Sequence, residues 1–316
     1  MFQQNILEEL KNKLYLIAGD ASFRKFYRFK SSKGKILVYC NRSKKSNLVN
    51  YVKVNNFLIK NKFLAPKVIK NSINKNYLII QDLGNVSFKK YILSKKNKFI
   101  VFKKILDELI KIQKIKVKKQ FSNYNQQKLK KELSLFFEWY LPEFFNNKKI
   151  RKIRNNIERD FLPRLASISN REKVFVHRDF HLENLILFKK KIGIIDSQDA
   201  VIGHPAYDLA SLVDDVRLKI SPKDQSKIIE YYLKNTKHNS HKFIYDFHVL
   251  SIQRLLKILG IFVRLYRRDN KKQYLKYLKY TWYLLDKRLK YPELKNLSKI
   301  FNLYFNKKIK NRSKWN

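Results

Sequence analysis

The first 84 residues of this chain alternate short apolar runs with turn residues, and the spacing after about residue 89 is mainly helical. Residues 4–15 carry the period of a short amphipathic helix. PheTyrArgPhe at 26–29 and LysIleLeuValTyr at 35–39 predict a strand pair around a SerSerLysGly turn. A helix is predicted over about 47–61. Pro66 then interrupts the chain before ValIle at 68–69, and TyrLeuIleIle at 77–80 predicts a further strand ending in GlnAspLeuGly at 81–84. Within the helical remainder, LeuIleLeuPhe at 185–188 and the run from Gly193 to Ile195 predict a hairpin with LysLysLys at 189–191 in its turn. ValPheVal at 174–176 is expected to join that hairpin in one small β-layer. The expected class is α+β, with a small β-rich lobe over 1–84, a hinge near Gly84 and a large mainly helical lobe over 85–316, forming one continuous unit.

Composition narrows this picture. Apolar residues make up 44% of the 316, enough to fill a sizeable core, and no run reaches the ~18 residues of a membrane span. LeuLeuLysIleLeuGlyIlePheValArgLeu at 255–265 is broken by Lys257 and Arg264. The first residues lack the basic and apolar regions of a secretory signal. Cys40 is the single cysteine, which excludes an internal disulfide and fits a reducing cytoplasm. The formal charge of +46 makes the chain a non-specific polyanion binder at low salt. Lysine is nevertheless spread through nearly every segment, together with abundant Asn, Ile, Phe and Tyr. These residue types share A/T-rich codons, so a biased genome accounts for the charge and specific nucleic-acid binding is not expected. Denser basic runs at 111–119, 148–154 and 307–314 are the places where a polyanion patch would lie.

The chemistry concentrates in HisArgAspPheHisLeuGluAsn at 177–184 and IleAspSerGlnAspAla at 195–200. Asp179 can accept a hydroxyl proton. Asn184 and Asp196, which flank the predicted hairpin, offer the oxygen ligands that Mg²⁺ prefers while it bridges nucleotide phosphates. Three such groups beside strands point to phosphoryl transfer from a nucleotide. His177 is expected to hold the loop, Arg178 either meets a substrate or a phosphate or is solvated, and Asp199 and Asp208 are expected to anchor loops. Only six glycines are present, and none forms a Walker-type or GlyXaaGlyXaaXaaGly turn. AlaGlyAspAlaSerPheArg at 18–24 is the candidate phosphate cradle, with Ser22 and Arg24 as donors. The strand end at Gln81 and Leu83 is the candidate backbone contact for adenine.

These motifs resemble the aminoglycoside phosphotransferase and choline kinase superfamily. Its bacterial branch of anomeric sugar kinases, which phosphorylate N-acetylmuramate and N-acetylglucosamine at C1, is similar over nearly the whole chain. The likeness runs through GlyAspAlaSerPheArgLysPheTyrArg at 19–28, AlaProLysVal at 65–68, PheGluTrpTyr at 137–140, TyrAspLeuAlaSerLeu at 207–212 and GlnArgLeuLeuLysIleLeuGlyIlePhe at 253–262. The resemblance implies a two-lobed protein-kinase-like fold, Asp179 as catalytic base and Asn184 and Asp196 as metal ligands, with ATP and Mg²⁺ as cofactors. Two departures stand out. Ser197 replaces the Phe of many members, which weakens apolar packing behind Asp196. IleLeuValTyr at 36–39 lacks the strand-three lysine, leaving Lys35, Arg42, Arg24 or Arg28 to substitute.

The short segment after Asp196 leaves no room for a polypeptide-docking loop, which favours a small acceptor. Glu138 and Trp139 can hydrogen-bond and stack on a sugar, or serve as core and structural partner. Gln253 and Lys257 share a helical face, where they meet either the acceptor or a structural ion pair. The expected activity is ATP-dependent phosphorylation of an amino sugar's anomeric hydroxyl in cell-wall sugar recycling. The alternatives are an aminoglycoside or amino-alcohol kinase, or a kinase-like shell that binds nucleotide or polyanion without turnover. An acidic pocket would mark a cationic acceptor, and only 25 acidic residues are available to build one.

Overall fold

A computed structural model describes residues 6–19, 24–31, 34–41, 43, 45–117, 120–312 and 315, the side chains of residues 9, 11 and 18 excepted. The chain divides into two compact units, one formed by residues 1–101 with 177–200 and the other by residues 102–176 with 201–316. The catalytic-type segment therefore belongs to the same unit as the N-terminal sheet.

In the first unit the strands are β1 (Leu14–Ala18), β2 (Arg24–Phe29), β3 (Lys35–Cys40), β4 (Val68–Ser72) and β5 (Tyr77–Gln81). They form one antiparallel sheet in the order β1-β2-β3-β5-β4. Helices α1 (Ile6–Glu9), α2 (Ser46–Lys60) and α3 (Phe88–Leu93) accompany it. β3 is covered on both faces, as its run of apolar residues dictates. Ile36, Val38 and Cys40 pack with Leu48 and Tyr51 of α2, while Leu37 packs with Leu14, Tyr77 and the α1 side chains Ile6 and Leu7. The predicted 26–29 and 35–39 strand pair, the helix over 47–61 and the strand at 77–80 are all present. The predicted helix over 4–15 is not. Only Ile6–Glu9 is α-helical, a 3₁₀ turn covers Lys11–Lys13, and residues 14–18 pair with β2. Leu10 and Leu14 enter the same core cluster, so helical spacing and a helix-to-strand turn leave the same apolar pattern here.

The second unit holds most of α4 (Lys98–Gln113), with α5 (Gln126–Leu135), α6 (Asn147–Ser169), α7 (Ala206–Val213), α8 (Pro222–Lys234), α9 (Ser240–Asp269), α10 (Leu278–Leu289), α11 (Lys295–Tyr304) and α12 (Lys307–Lys310). The strands β6 (Val174–Val176) and β9 (Val201–Gly203) pair there, and β7 (Leu185–Phe188) and β8 (Lys191–Ile194) form a separate hairpin in the first unit. The expected single β-layer is thus two two-stranded sheets. β6 is buried throughout and finds its partner after the hairpin, not in it. At the centre of the second unit lies α9, whose residues from Val249 to Gly260 are all buried. Among the described residues no helix is long and apolar enough to cross a membrane.

Candidate active site

The β7–β8 hairpin is what brings Asn184 and Asp196 together. Leu185 pairs with Ile194, and the Ile195 N–H donates to the Asn184 carbonyl at 3.0 Å, so the two residues leave the open end of one hairpin side by side. At the closed end Lys189 and Lys190 both take positive φ, +48° and +63°, the geometry of a type I′ turn. The hairpin is fixed within its unit from both edges. The Leu187 N–H donates to Val86 O, and the Ile194 N–H to Leu64 O, each at 2.8 Å. A Cβ at Gly193 would stand 2.7 Å from Leu83 Cδ1, so the tip of that leucine would have to shift to admit one.

The loop that carries Asp179 is held by His177. Its Nδ1 accepts from the Asp179 N–H at 3.3 Å, and its Nε2 faces the Ile195 carbonyl at 3.0 Å. Because a carbonyl only accepts, the neutral ring carries its proton on Nε2. His177 is buried, and this geometry matches the loop-holding role expected for it. The Asp179 carbonyl then accepts from Asn184 Nδ2 at 3.0 Å and from the His181 N–H at 2.9 Å. Arg178 Nη1 donates to the Asp199 carbonyl at 3.2 Å. Two non-glycine residues here have left-handed backbones, Arg178 at φ +74° and Asp196 at +61°. Such conformations persist only where the surroundings enforce them.

Arg24 is the side chain on which the first unit converges. It is 3% exposed, and it donates from Nη2 to Asp196 Oδ1 at 2.7 Å and from Nη1 to Gln198 Oε1 at 2.5 Å. Its guanidinium lies 5.6 Å from the centre of the Tyr51 ring, and burial pushes the Tyr51 phenol up to about 12. Arg28, the other candidate on β2, is occupied elsewhere. It grips Asp82 with Nε and Nη2 at 2.5 and 3.0 Å, and this ion pair holds the guanidinium above its ordinary range. Ser22 and Arg42 lie outside the described residues. At the strand end, the N–H groups of Gln81 and Asp82 are spent on Lys67 O and Gly34 O, whereas no hydrogen bond among the described residues takes up that of Leu83.

The donor set suits Mg²⁺. Asn184 turns its amide nitrogen to the Asp179 carbonyl, and among the described residues nothing takes its Oδ1. Asp196 gives Oδ1 to Arg24, and among the described residues nothing takes its Oδ2. One amide oxygen and one carboxylate oxygen match a cation that retains waters and takes its remaining ligands from phosphates.

The acceptor candidates lie in the second unit. Phe136–Tyr140 forms a π-helical turn on which Glu138 is exposed and Trp139 half-buried. Glu138 is within electrostatic reach of Arg264, whose guanidinium burial holds below its usual range. Gln253 is fully buried and donates to Leu129 O at 3.1 Å and Glu132 Oε2 at 3.3 Å. Lys257 donates to Glu132 Oε1 at 3.2 Å and to the Tyr207 phenol oxygen at 3.4 Å. Of their two sequence readings, structural pairing is the one this geometry fits.

Asn55 escaped the sequence reading altogether. It is fully buried on α2, where its Oδ1 accepts from Ser197 Oγ at 2.8 Å and its Nδ2 donates to Pro66 O at 3.1 Å. Its signal in the sequence is a polar residue on the Leu48, Tyr51, Leu58 stripe of α2. Ser197, expected to loosen apolar packing, instead makes a buried hydrogen bond.

The fold is protein-kinase-like, with a small β-rich lobe and a large mainly helical one. A gentamicin complex of APH(2″)-IIa superimposes with a TM-score of 0.65 at 16% identity, covering 89% of this chain and 96% of that one. A choline/ethanolamine kinase family protein from Mesorhizobium loti does so with 0.62 at 10% identity, covering 95% and 96%. Residues 13–243 match the phosphotransferase enzyme family, APH, and the chain belongs to that family. N-acetylmuramate/N-acetylglucosamine kinase of Neisseria meningitidis serogroup B is 27% identical over 282 residues, 86% of this chain and 84% of that protein. The enzyme of that name from Pseudomonas aeruginosa is 28% identical over 273 residues, 82% and 78%.

Proposed function

We propose that the protein is a cytoplasmic kinase that transfers the γ-phosphoryl group of ATP to the anomeric hydroxyl of N-acetylmuramate or N-acetylglucosamine, in cell-wall sugar recycling. The observation that carries this reading is the likeness, over four fifths or more of the chain, to kinases named for those two sugars. In this reading Asp179 takes or orients the proton of the acceptor hydroxyl. Asn184 and Asp196 hold Mg²⁺, which when bound neutralises charge on the transferring group. Arg24 supplies the cation that residues 36–39 of strand three lack, Ser22 adds a phosphate donor, and Gln81 with Leu83 lines the adenine, the Leu83 N–H serving as donor. Glu138 and Trp139 meet the sugar, while Gln253 and Lys257 support that region through Glu132.

A coupled assay of ADP release over a panel of free sugars tests the reading, with NMR locating the new phosphate. Turnover on N-acetylmuramate or N-acetylglucosamine with phosphate at C1 is expected. Turnover confined to an aminoglycoside or an amino alcohol, or nucleotide binding with no acceptor-dependent ADP, overturns it.

A further inference from the structure

Three consecutive residues just beyond β8 are each held by a side chain from the first hundred residues. Arg24 holds Asp196 and Gln198, and Asn55 holds Ser197. The middle contact is unlike the other two because it carries no charge and lies entirely out of water, Asn55 and Ser197 both being fully buried.

The orientation of Asn55 is fixed by its partners. A proline carbonyl can only accept, so the amide nitrogen must face Pro66 and the amide oxygen must face the Ser197 hydroxyl. Each polar group of the Asn55 side chain thus has a partner that suits it. Losing the Ser197 hydroxyl takes away the hydrogen bond to the buried Asn55 Oδ1, which costs more than the bond itself is worth in water. The pair sits next to a residue that needs holding. Asp196 has φ +61°, a backbone that residues other than glycine rarely adopt, and among the described residues its carboxylate gives one oxygen to Arg24.

The elements that could supply a charged brace do not. No acidic residue occurs along α2, and Ile36, Val38 and Cys40 make the face of β3 that packs with it apolar. An ion pair between those two elements is therefore unavailable, and the polar side chain that α2 does bury is directed at Ser197. We propose that Asn55 and Ser197 are a positioning pair that fixes the backbone of Asp196 for binding the metal–nucleotide. The proposal rests on the reading of Asp196 as a metal ligand, and it adds α2 as the support of that ligand.

Mn²⁺ binding in the presence of a non-hydrolysable ATP analogue, followed by the EPR signal of free Mn²⁺ and without any acceptor, tests it. S197A is expected to weaken Mn²⁺ binding about tenfold, as loss of an outer partner of a metal ligand does. Metal-free affinity for the analogue should stay within about twofold. S197T, which keeps the hydroxyl, should restore binding, and N55A should weaken it as S197A does, with no further loss in the double variant. A lower thermal midpoint with unchanged Mn²⁺ affinity in S197A makes the pair merely structural and overturns the proposal. Where S197A does not fold, S197C is read by the same two outcomes. D196A, which removes the oxygen donor altogether, separates the levels. If it leaves Mn²⁺ binding intact, Asp196 is not a ligand and the underlying reading fails. If it abolishes binding that S197A leaves unchanged, only the positioning role is lost.

Discussion

Asp179→Asn should separate chemistry from architecture, because its backbone N–H and carbonyl make hydrogen bonds that help to set its loop. Its N–H meets His177 and its carbonyl meets Asn184 and His181, and neither atom changes in the substitution. Removing a positioned base costs about 10²–10⁴ in turnover, so kcat should fall by that factor while calorimetry finds ATP affinity unchanged. Wild-type turnover in this variant would remove Asp179 from its role. His248 offers a second residue-scale test. Burial lowers its imidazole to about 4 from an ordinary 6.5, and it stacks on Tyr291 with ring centres 4.3 Å apart. Between these two values the unfolded chain binds a proton that the folded chain refuses, so stability is fully present above about pH 6.5 and is lost as pH falls toward 4. The loss has an upper bound of about 3 kcal/mol. His248→Phe keeps the stack and removes the proton, so denaturant midpoints across that window should fall less steeply than in the wild type; parallel profiles would contradict the assignment. The hairpin that sets Asn184 beside Asp196 was legible in the sequence because its strands and turn are local. Asn55 was not, since its partner Ser197 is 142 residues away, and Arg24 could be named without revealing that it would grip Asp196 across 172.

Where two elements cross, a single methyl group can be decisive. Gly260 lies on α9 against the junction of α5 with the π-helical turn, where an added Cβ would fall 2.3 Å from the carbonyl carbon and oxygen of Leu135 and 2.7 Å from Phe136 N. Those are backbone atoms inside a helix, so the clash cannot be relieved by a rotamer change. Gly260→Ala should therefore destabilise by about 1–3 kcal/mol or more, against the gain that alanine ordinarily brings to a helix. Urea denaturation checks the sign, and an unchanged or higher midpoint would mean that the helices do not approach so closely. The α2, β2, β3 and β5 elements were readable from period and turn residues alone. β1 was lost because Leu10 and Leu14 serve one cluster from a turn and a strand, and the β6–β9 pairing was lost because its two strands are separated by residues 177–200. Local periodicity records which residues are buried, and pairing across such distances leaves no periodic trace.

At the scale of the whole molecule, 71 basic side chains face 25 acidic ones. Several of the acidic groups are committed inside the fold. Asp214 accepts from Arg288 at 2.6 and 2.8 Å, and Asp246 pairs with Arg171 and His204. What remains outside is an excess of lysine distributed along the sequence, which repels itself in the compact state and less so in the expanded one. Salt acts on the two populations unequally. Exposed charges separated by more than the Debye length of ~10 Å at 0.1 M are screened, while buried pairs such as Arg288–Asp214 are scarcely affected. Exposed pairs such as Arg267–Glu143 contribute only ~0–1 kcal/mol each, so their weakening should not outweigh the relief of a net charge of +46. The thermal midpoint should accordingly rise between about 0.02 and 0.3 M NaCl, and scanning calorimetry at fixed pH measures it. Potassium chloride should act alike, because the effect depends on ionic strength and not on a bound ion. A midpoint that falls over this range would show that surface ion pairs, rather than the field of the unpaired lysines, govern the electrostatics of the fold.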